Sequence, residues 1–300
     1  MGIPPEPTRL ARRILGTLRH EPLGRRPHAS ARTTRSRARP HYRSAHHRLP
    51  GGILMRVLCV IPVRGGSKGI PRKNLREIAG KPLVAWTILQ ALAARDELAG
   101  EHEVRVAVST EDQELAAIAR HYGAEVPFMR PAHLAEDTTA TEPVIEHAID
   151  FYTGEGWAPD AVMLLQATSP VRLPGTLARA VRQFAENGKD SLVGVIPIGP
   201  FIWRWHPDAE PTAEFEIMAR PRRQELTRET FRYRENGSLY ITKTHVYTEH
   251  HNRLAGYPGG TIDLFTLHEV EGVDIDAPID FAVAEHQLKQ ILEGQPGVRS

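Results

Sequence analysis

The stretch that most constrains this chain is residues 57–76, VLCVIPVRGGSKGIPRKNLR. Val57 to Val63 form an apolar run interrupted only by Pro62, which reads as a buried strand of a parallel sheet. The run breaks into Arg64-Gly65-Gly66-Ser67-Lys68-Gly69. Its glycines let the backbone turn sharply and approach a ligand. Arg64, Lys68, Arg72 and Lys73 load the same turn with positive charge. A strand that runs into a basic, glycine-rich loop is how an α/β sheet holds a polyphosphate at its carboxyl edge. The loop matches neither G-x-x-x-x-G-K-[ST] nor G-x-G-x-x-G, so an ATPase or a nicotinamide enzyme is not the first reading.

Charge divides the chain in two. Of its 38 basic and 36 acidic residues, residues 1–54 hold 12 Arg, no Lys, and only Glu6 and Glu21. That leaves 26 basic and 34 acidic residues in 55–300, a net of −8. Three readings compete for the leader: an arginine-rich arm for nucleic-acid phosphates, a targeting peptide, or untranslated sequence before a start at Met55. The last is preferred, and a translated leader is expected to be disordered. No apolar run approaches the roughly 20 residues of a membrane span. The one cysteine, Cys59, forbids an intrachain disulfide, which suits a reducing cytoplasm.

Beyond the first loop, strands and helices alternate. Gly80-Lys81-Pro82 opens an expected amphipathic helix to about Arg95. Val104–Val108 reads as a strand ending in Ser109-Thr110-Glu111-Asp112, where Asp112 also suits the cap of a helix over 113–122. Gly123 to Pro131 is a short extended piece, followed by Leu134-Ala135-Glu136-Asp137-Thr138. Val144–Tyr152 reads as a helix. Ala161–Leu165 reads as a buried strand that delivers Gln166-Ala167-Thr168-Ser169-Pro170-Val171-Arg172 to the same edge. Leu177–Glu186 is an expected helix and Ser191–Ile196 a strand. Pro197 to Arg234 breaks the alternation, with Trp203, Trp205 and the basic run 220–224. Excursions of that size are usually functional, and tryptophans suit a partner surface. Asn236-Gly237 alone would be a turn before a strand, while Asn236 also offers a donor and an acceptor for the hydroxyl and amide groups of a sugar. His245, His250 and His251 lack the acids and spacing of a zinc site. Asp274 and Asp276 alternate on an extended segment and so share a face. They could hold one cation together, or Asp276 could cap a last helix over 277–292.

The stretch Ile61 to Asn74 resembles the I-P-A-R-G-G-S-K-G-I-P-R-K-N loop of the acylneuraminate (sialic acid) cytidylyltransferases, with Val63 the one departure. Five later stretches are similar to motifs of that family in the same order: 109–112, 123–131, 166–172, 223–226 together with 235–241, and 273–281. Glu111 replaces an aspartate and Ala167 a proline. The resemblance covers residues 56 to about 293. It implies an α/β, Rossmann-like, mostly parallel sheet flanked by helices, with an inserted dimerisation segment at about 197–236 in a nucleotidyltransferase domain spanning 55–300.

The resemblance further implies a reaction between CTP and an acidic nine-carbon sugar that gives a CMP-sugar and pyrophosphate, with Mg²⁺, in a cytoplasmic homodimer with no nucleic-acid partner. Arg64, Lys68 and Lys73 with Gly65, Gly66 and Ser67 would hold the triphosphate. Asn74 and Ser109 would place the nucleotide. Gln166, Thr168, Ser169, Arg223, Asn236 and Tyr240 would form the sugar site, with Arg222 a weaker choice. Asp274 and Asp276 would hold the metal. Legionaminic acid, or another 2-keto acid sugar, is the rival substrate. A non-catalytic nucleotide-binding module and a nucleic-acid-binding protein are the rival classes.

Overall fold

The computed structural model describes residues 55–66 and 69–294, together with the paired two-residue strands Arg48–Leu49 and Gly52–Ile53. The chain divides into two units between Ile53 and Leu54. The readings of residues 1–54 otherwise lie outside the described residues, as do those of Ser67 and Lys68.

The second unit is built on a six-stranded sheet. Its strands are β1 (Arg56–Pro62), β2 (Glu103–Ser109), β3 (Ala161–Leu164), β4 (Ser191–Ile198), β5 (Arg232–Lys243) and β6 (Ile262–Thr266), in spatial order β6-β4-β5-β3-β1-β2. β1 pairs parallel with both β2 and β3, and β6 parallel with β4, while β5 runs antiparallel between β3 and β4. The chain leaves β1 for β2 on one side and returns to β3 on the other. The carboxyl ends of β1 and β3 therefore flank a topological switch point, where open α/β sheets place their ligands.

Burial on both faces explains the unbroken apolar run of β1. Val57, Cys59 and Ile61 enter a core beneath helices α1 (Leu83–Glu97), α2 (Gln113–His121) and α4 (Thr176–Asn187). Leu58 and Val60 enter the opposite core beneath α3 (Thr141–Gly154) and α5 (Thr244–His250). The last helix, α6, is Pro278–Leu292. No helix among the described residues is long and apolar enough to cross a membrane.

Three expectations need correction. The helix expected to start at Gly80 starts at Leu83, because Gly80, with φ +78°, turns a two-stranded ribbon of Glu77–Ile78 and Lys81–Pro82. It is not amphipathic either: Leu83 through Leu92 are all buried, Thr87 and Gln90 included. Asn236-Gly237 is no turn before a strand but a bulge inside β5, whose register against β4 breaks between Glu235 and Tyr240. The excursion is also shorter than its composition suggested. β4 and β5 stay paired as far as Arg232 and Ile198, which leaves residues 199–231 outside the sheet. There Trp203–Arg204 pairs with Thr212–Ala213, and Phe201, Trp203 and Phe215 meet edge to face under the Arg220 guanidinium. Trp205 stands 78% exposed.

Candidate active site

The loops at the carboxyl ends of β1, β2 and β3 converge with the segment that precedes α6. After β1, the backbone N–H of Gly65 donates to Glu111 Oε1 at 2.7 Å. A β-carbon at residue 65 would lie 2.3 Å from Asp112 Oδ2, so only glycine lets the two loops approach this closely. Asp112 also caps α2, accepting from the N–H groups of Glu114 and Leu115 as its sequence position suggested. Burial would raise its pKa, yet the Leu115 N–H and the Arg72 guanidinium at 2.6 Å hold it below the usual carboxylate range. Arg64 pairs with Asp137 at 2.5 Å. Gly66 is exposed, with open space where a side chain would stand.

Two residues assigned to the nucleotide lie beneath this surface. Asn74 is buried, and its Nδ2 donates to Arg64 O at 3.2 Å, which holds the loop's shape. Ser109 is buried, and its Oγ accepts from Arg130 Nε at 3.1 Å. Arg130 also donates to Val63 O and Ser109 O, tying together the ends of β1 and β2. Burial pushes its pKa down to about 10, opposed by Glu111 nearby. Arg130 stood inside a recognised stretch of sequence, but nothing there distinguished a buried guanidinium from a solvated one.

After β3, the turn and the bulge of β5 face each other across a cavity of about 630 Å³. Its walls include Gln166, Asn236, Tyr240, Asp274 and Asp276, which brings together five residues picked out separately along the sequence. Gly237, with φ +75°, makes this approach possible, since a β-carbon there would lie 2.2 Å from Gln166 Oε1. Asn236 is fixed by donating to Glu271 O and accepting from Ser238 N–H, both at 3.1 Å. Tyr240 donates its hydroxyl to Glu235, and burial raises its pKa. Thr168 contributes its carbonyl, which accepts from Ile275 N–H at 2.8 Å. Ser169 is buried, 3.5 Å from Asp274 Oδ1, at the outer limit of a hydrogen bond. Arg223 opens a short 3₁₀ turn, Arg223–Glu225, and its side chain lies outside the described residues.

The acid pair behaves as alternation requires. Ile275 is buried in full, while Asp274 and Asp276 on either side of it line the cavity. Asp276 does not cap α6. Asp280 does so, accepting from the N–H groups of Asp276 and Ala277 at 2.9 and 2.7 Å, and these bonds lower its pKa. The carboxylate of Asp276 is thereby left for a ligand. Among the described residues no group of three or more His, Cys, Asp or Glu could hold a metal. Two carboxylates are nonetheless the complement that Mg²⁺ uses when phosphate oxygens and water complete its shell. Lys73 joins this pair to the β1 loop, donating to Ile275 O at 2.5 Å.

Arg172 holds the site from below. It is buried, and it donates to Gln166 O, Ser238 O, Thr87 Oγ1 and Gln90 Oε1 at 2.7–3.2 Å. One guanidinium thus spans the β3 turn, the β5 bulge and α1.

A family model described as Cytidylyltransferase matches residues 58–295. The chain is 37% identical over 241 residues to the CMP-N,N'-diacetyllegionaminic acid synthase of Legionella pneumophila, an alignment covering 78% of this chain and 97% of that protein. It is 30% identical over 237 residues to N-acylneuraminate cytidylyltransferase A of Danio rerio, covering 77% of this chain and 50% of that longer protein. Among solved structures, a CMP:2-keto-3-deoxy-manno-octonic acid synthetase complexed with CTP superposes with a TM-score of 0.53 at 18% identity, covering 78% of this chain and 99% of that one. At that identity the match speaks for the fold.

Proposed function

The chain belongs to the cytidylyltransferase family, and from that premise we propose that it activates an acidic nonulosonate sugar with CTP, releasing pyrophosphate. The anomeric oxygen of the sugar bonds to the α-phosphorus and the bond from that phosphorus to pyrophosphate breaks. The hydroxyl proton passes to a cavity carboxylate or to water. Positioning and charge neutralisation account for most of the catalysis in phosphoryl-group chemistry of this kind.

The observation that carries the reading is the cavity that gathers Gln166, Asn236, Tyr240, Asp274 and Asp276 and is tied by Lys73 to the basic loop. In this reading Arg64, Lys73 and the loop backbone receive the triphosphate, and Gln166 and Asn236 orient the sugar. Asp274 and Asp276 would hold Mg²⁺, which when bound supplies positive charge against the phosphate oxygens. Similarity to the Legionella protein over nearly its whole length makes N,N'-diacetyllegionaminate the first sugar to try, ahead of N-acetylneuraminate. A cytoplasmic setting suits the lone buried Cys59. A homodimer closed through residues 199–231 suits the exposed Trp203 and Trp205.

The test is pyrophosphate release and CMP-sugar formation from the purified chain with CTP, Mg²⁺ and a panel of these two sugars and pseudaminate. CTP-dependent turnover of at least one is expected. Tight CTP binding with no turnover on any would leave a nucleotide-binding module and overturn the reading.

A further inference from the structure

The bulge in β5 is closed by a contact that an unbroken strand could not make. Glu235 and Tyr240 are five residues apart, which on a regular strand is roughly 17 Å, with the two side chains on opposite faces. Here Glu235 pairs with Val195 of β4 and Tyr240 with Val193, so a five-residue step on β5 matches a two-residue step on β4. The surplus residues, Asn236 and Gly237 among them, stand out of the ladder, with Gly237 against Gln166. Glu235 and Tyr240 are thereby drawn together, and the Tyr240 hydroxyl donates to Glu235. Both residues line the cavity.

Tyr240 is only 2% exposed, so its ring is placed by what packs behind it. One such neighbour is Arg253, in the segment between α5 and β6. Its guanidinium carbon lies 5.5 Å from the centroid of the Tyr240 ring, within cation–π range. Two bonds fix Arg253 in turn. Its Nε donates to Glu142 Oε1 at 2.7 Å, in the first turn of α3. Its carbonyl accepts from Thr242 Oγ1 at 2.6 Å, two residues beyond Tyr240 on β5. Burial raises the Tyr240 pKa, so the phenol keeps its proton and stays a donor to Glu235. A chain of contacts therefore runs from Glu142 through Arg253 and Tyr240 to Glu235, and ends at the bulge that carries Asn236. Arg253 falls in none of the motifs read along the sequence.

We infer that Arg253 is a positioning residue for the sugar: it seats the Tyr240 ring, Tyr240 holds Glu235, and this pair keeps the β5 bulge closed so that Asn236 and Gln166 meet the sugar together. Arg253 acts without touching the substrate. The inference rests on the proposed sugar-activating function. The bland alternative is that Arg253 serves only as the ion-pair partner of Glu142, joining α3 to the segment after α5. The two accounts part at Glu142, because weakening the pair from that side leaves Arg253 over the ring, still tied to β5 through its carbonyl.

The experiment measures steady-state kinetics of the wild-type chain, Arg253→Met, Arg253→Lys, Glu142→Gln and Tyr240→Phe, with CTP, Mg²⁺ and whichever of N,N'-diacetyllegionaminate, N-acetylneuraminate and pseudaminate the wild type turns over. Each substrate is varied at saturation of the other. Arg253→Met should raise the sugar KM about tenfold, within the range of coupling between residues in contact. Arg253→Lys should raise it about fourfold, because an ammonium lacks the planar fork that serves the ring and Glu142 at once. In Glu142→Gln the sugar KM should stay within about twofold, whatever the variant costs in stability. The CTP KM should stay within about twofold in all the Arg253 and Glu142 variants. Added to Tyr240→Phe, Arg253→Met should raise the sugar KM by less than about twofold more, since the route it acts through is already cut. An unchanged sugar KM in Arg253→Met, an equal rise in the CTP KM, an equal rise in Glu142→Gln, or the full tenfold rise on the Tyr240→Phe background would each overturn the assignment while leaving the activity established. Should Arg253→Met not fold, a sugar KM no higher in Arg253→Lys than in Glu142→Gln overturns it. Wild-type turnover of none of the three sugars would instead overturn the proposed function, and this inference with it.

Discussion

Arg172→Met removes the buried guanidinium that joins three parts of the site, and its cost can be worked from the contacts. Four hydrogen bonds are lost, to Gln166 O, Ser238 O, Thr87 Oγ1 and Gln90 Oε1. Hydrogen bonds to a charged group contribute about 1.5–3 kcal/mol each, or roughly 6–12 kcal/mol for four if they added. Two effects reduce that figure. Burial has already pushed the Arg172 pKa from 12.5 down to about 10, against the pull of Glu271 and Asp274. Eliminating the charge removes that cost of burying it. Bonds within one network also fall short of additivity. The expected loss is about 4 kcal/mol, within the range for breaking a buried charged network. With a urea m-value of roughly 2–3 kcal/mol per molar, the midpoint should fall by about 1.3–2 M at constant m. Arg172→Lys offers three donors for four acceptors and should fall between the two. In Arg172→Lys, at a temperature where it stays folded, the sugar KM should rise more than that for CTP, because Gln166 and Ser238 both lean on residue 172. A loss under about 1 kcal/mol for Arg172→Met would refute this account and mean that water or repacking satisfies the freed carbonyls.

The two acids near α6 should separate cleanly. Asp276→Asn should lower turnover by about 10²-fold or more across a Mg²⁺ titration with little change in stability, whereas Asp280→Ala should cost about 1 kcal/mol of stability through loss of the cap. Burial lowers the pKa values of His102 and His147 below the ordinary 6.5. The unfolded chain thus binds more protons as pH falls through 6.5, so stability should drop from pH 7 to 5.5, and a His102→Gln, His147→Gln double variant should show a shallower slope in urea midpoints. Trp203→Ala with Trp205→Ala should shift sedimentation toward the monomer, and an unchanged dimer would place the interface elsewhere.

What could be read along the chain, and what could not, follows from where the information lies. The β1 strand and loop were legible because an apolar run and a glycine-rich basic turn are local patterns. So was the acid pair, because alternation alone puts Asp274 and Asp276 on one face with Ile275 in the core. The helices expected along the sequence all appear, and in the expected order. The errors came where the partner of a residue lies far away in sequence. Thr87 and Gln90 made α1 look amphipathic, and the residue that allows them to be buried is Arg172, more than 80 positions later. Asn236-Gly237 looked like a turn because nothing nearby shows that Gln166 needs the space above Gly237. The choice for Asp276 between metal ligand and cap of α6 stayed open in the sequence, because nothing there shows that Asp280 reaches back from the first turn to take the cap.

The departure at Glu111 shows how such distant pairings bear on function. A longer side chain at this position reaches the Gly65 N–H, a donor of the loop that would cradle phosphate. Its second oxygen, Oε2, is buried with no hydrogen-bond partner among the described residues, 4.0 Å from Arg130 Nη1. A triphosphate that takes the Gly65 N–H must displace this carboxylate, and the nearest group to receive it is the Arg130 guanidinium. Arg130 in turn braces the ends of β1 and β2 through Val63 O and Ser109 O. In the proposed function, nucleotide binding and the bracing of the switch point would share one buried cation. The role this leaves for Ser109, which is buried, is indirect: its Oγ accepts from Arg130 Nε, and in the proposed function Arg130 would set the charge that Glu111 and an incoming phosphate both meet.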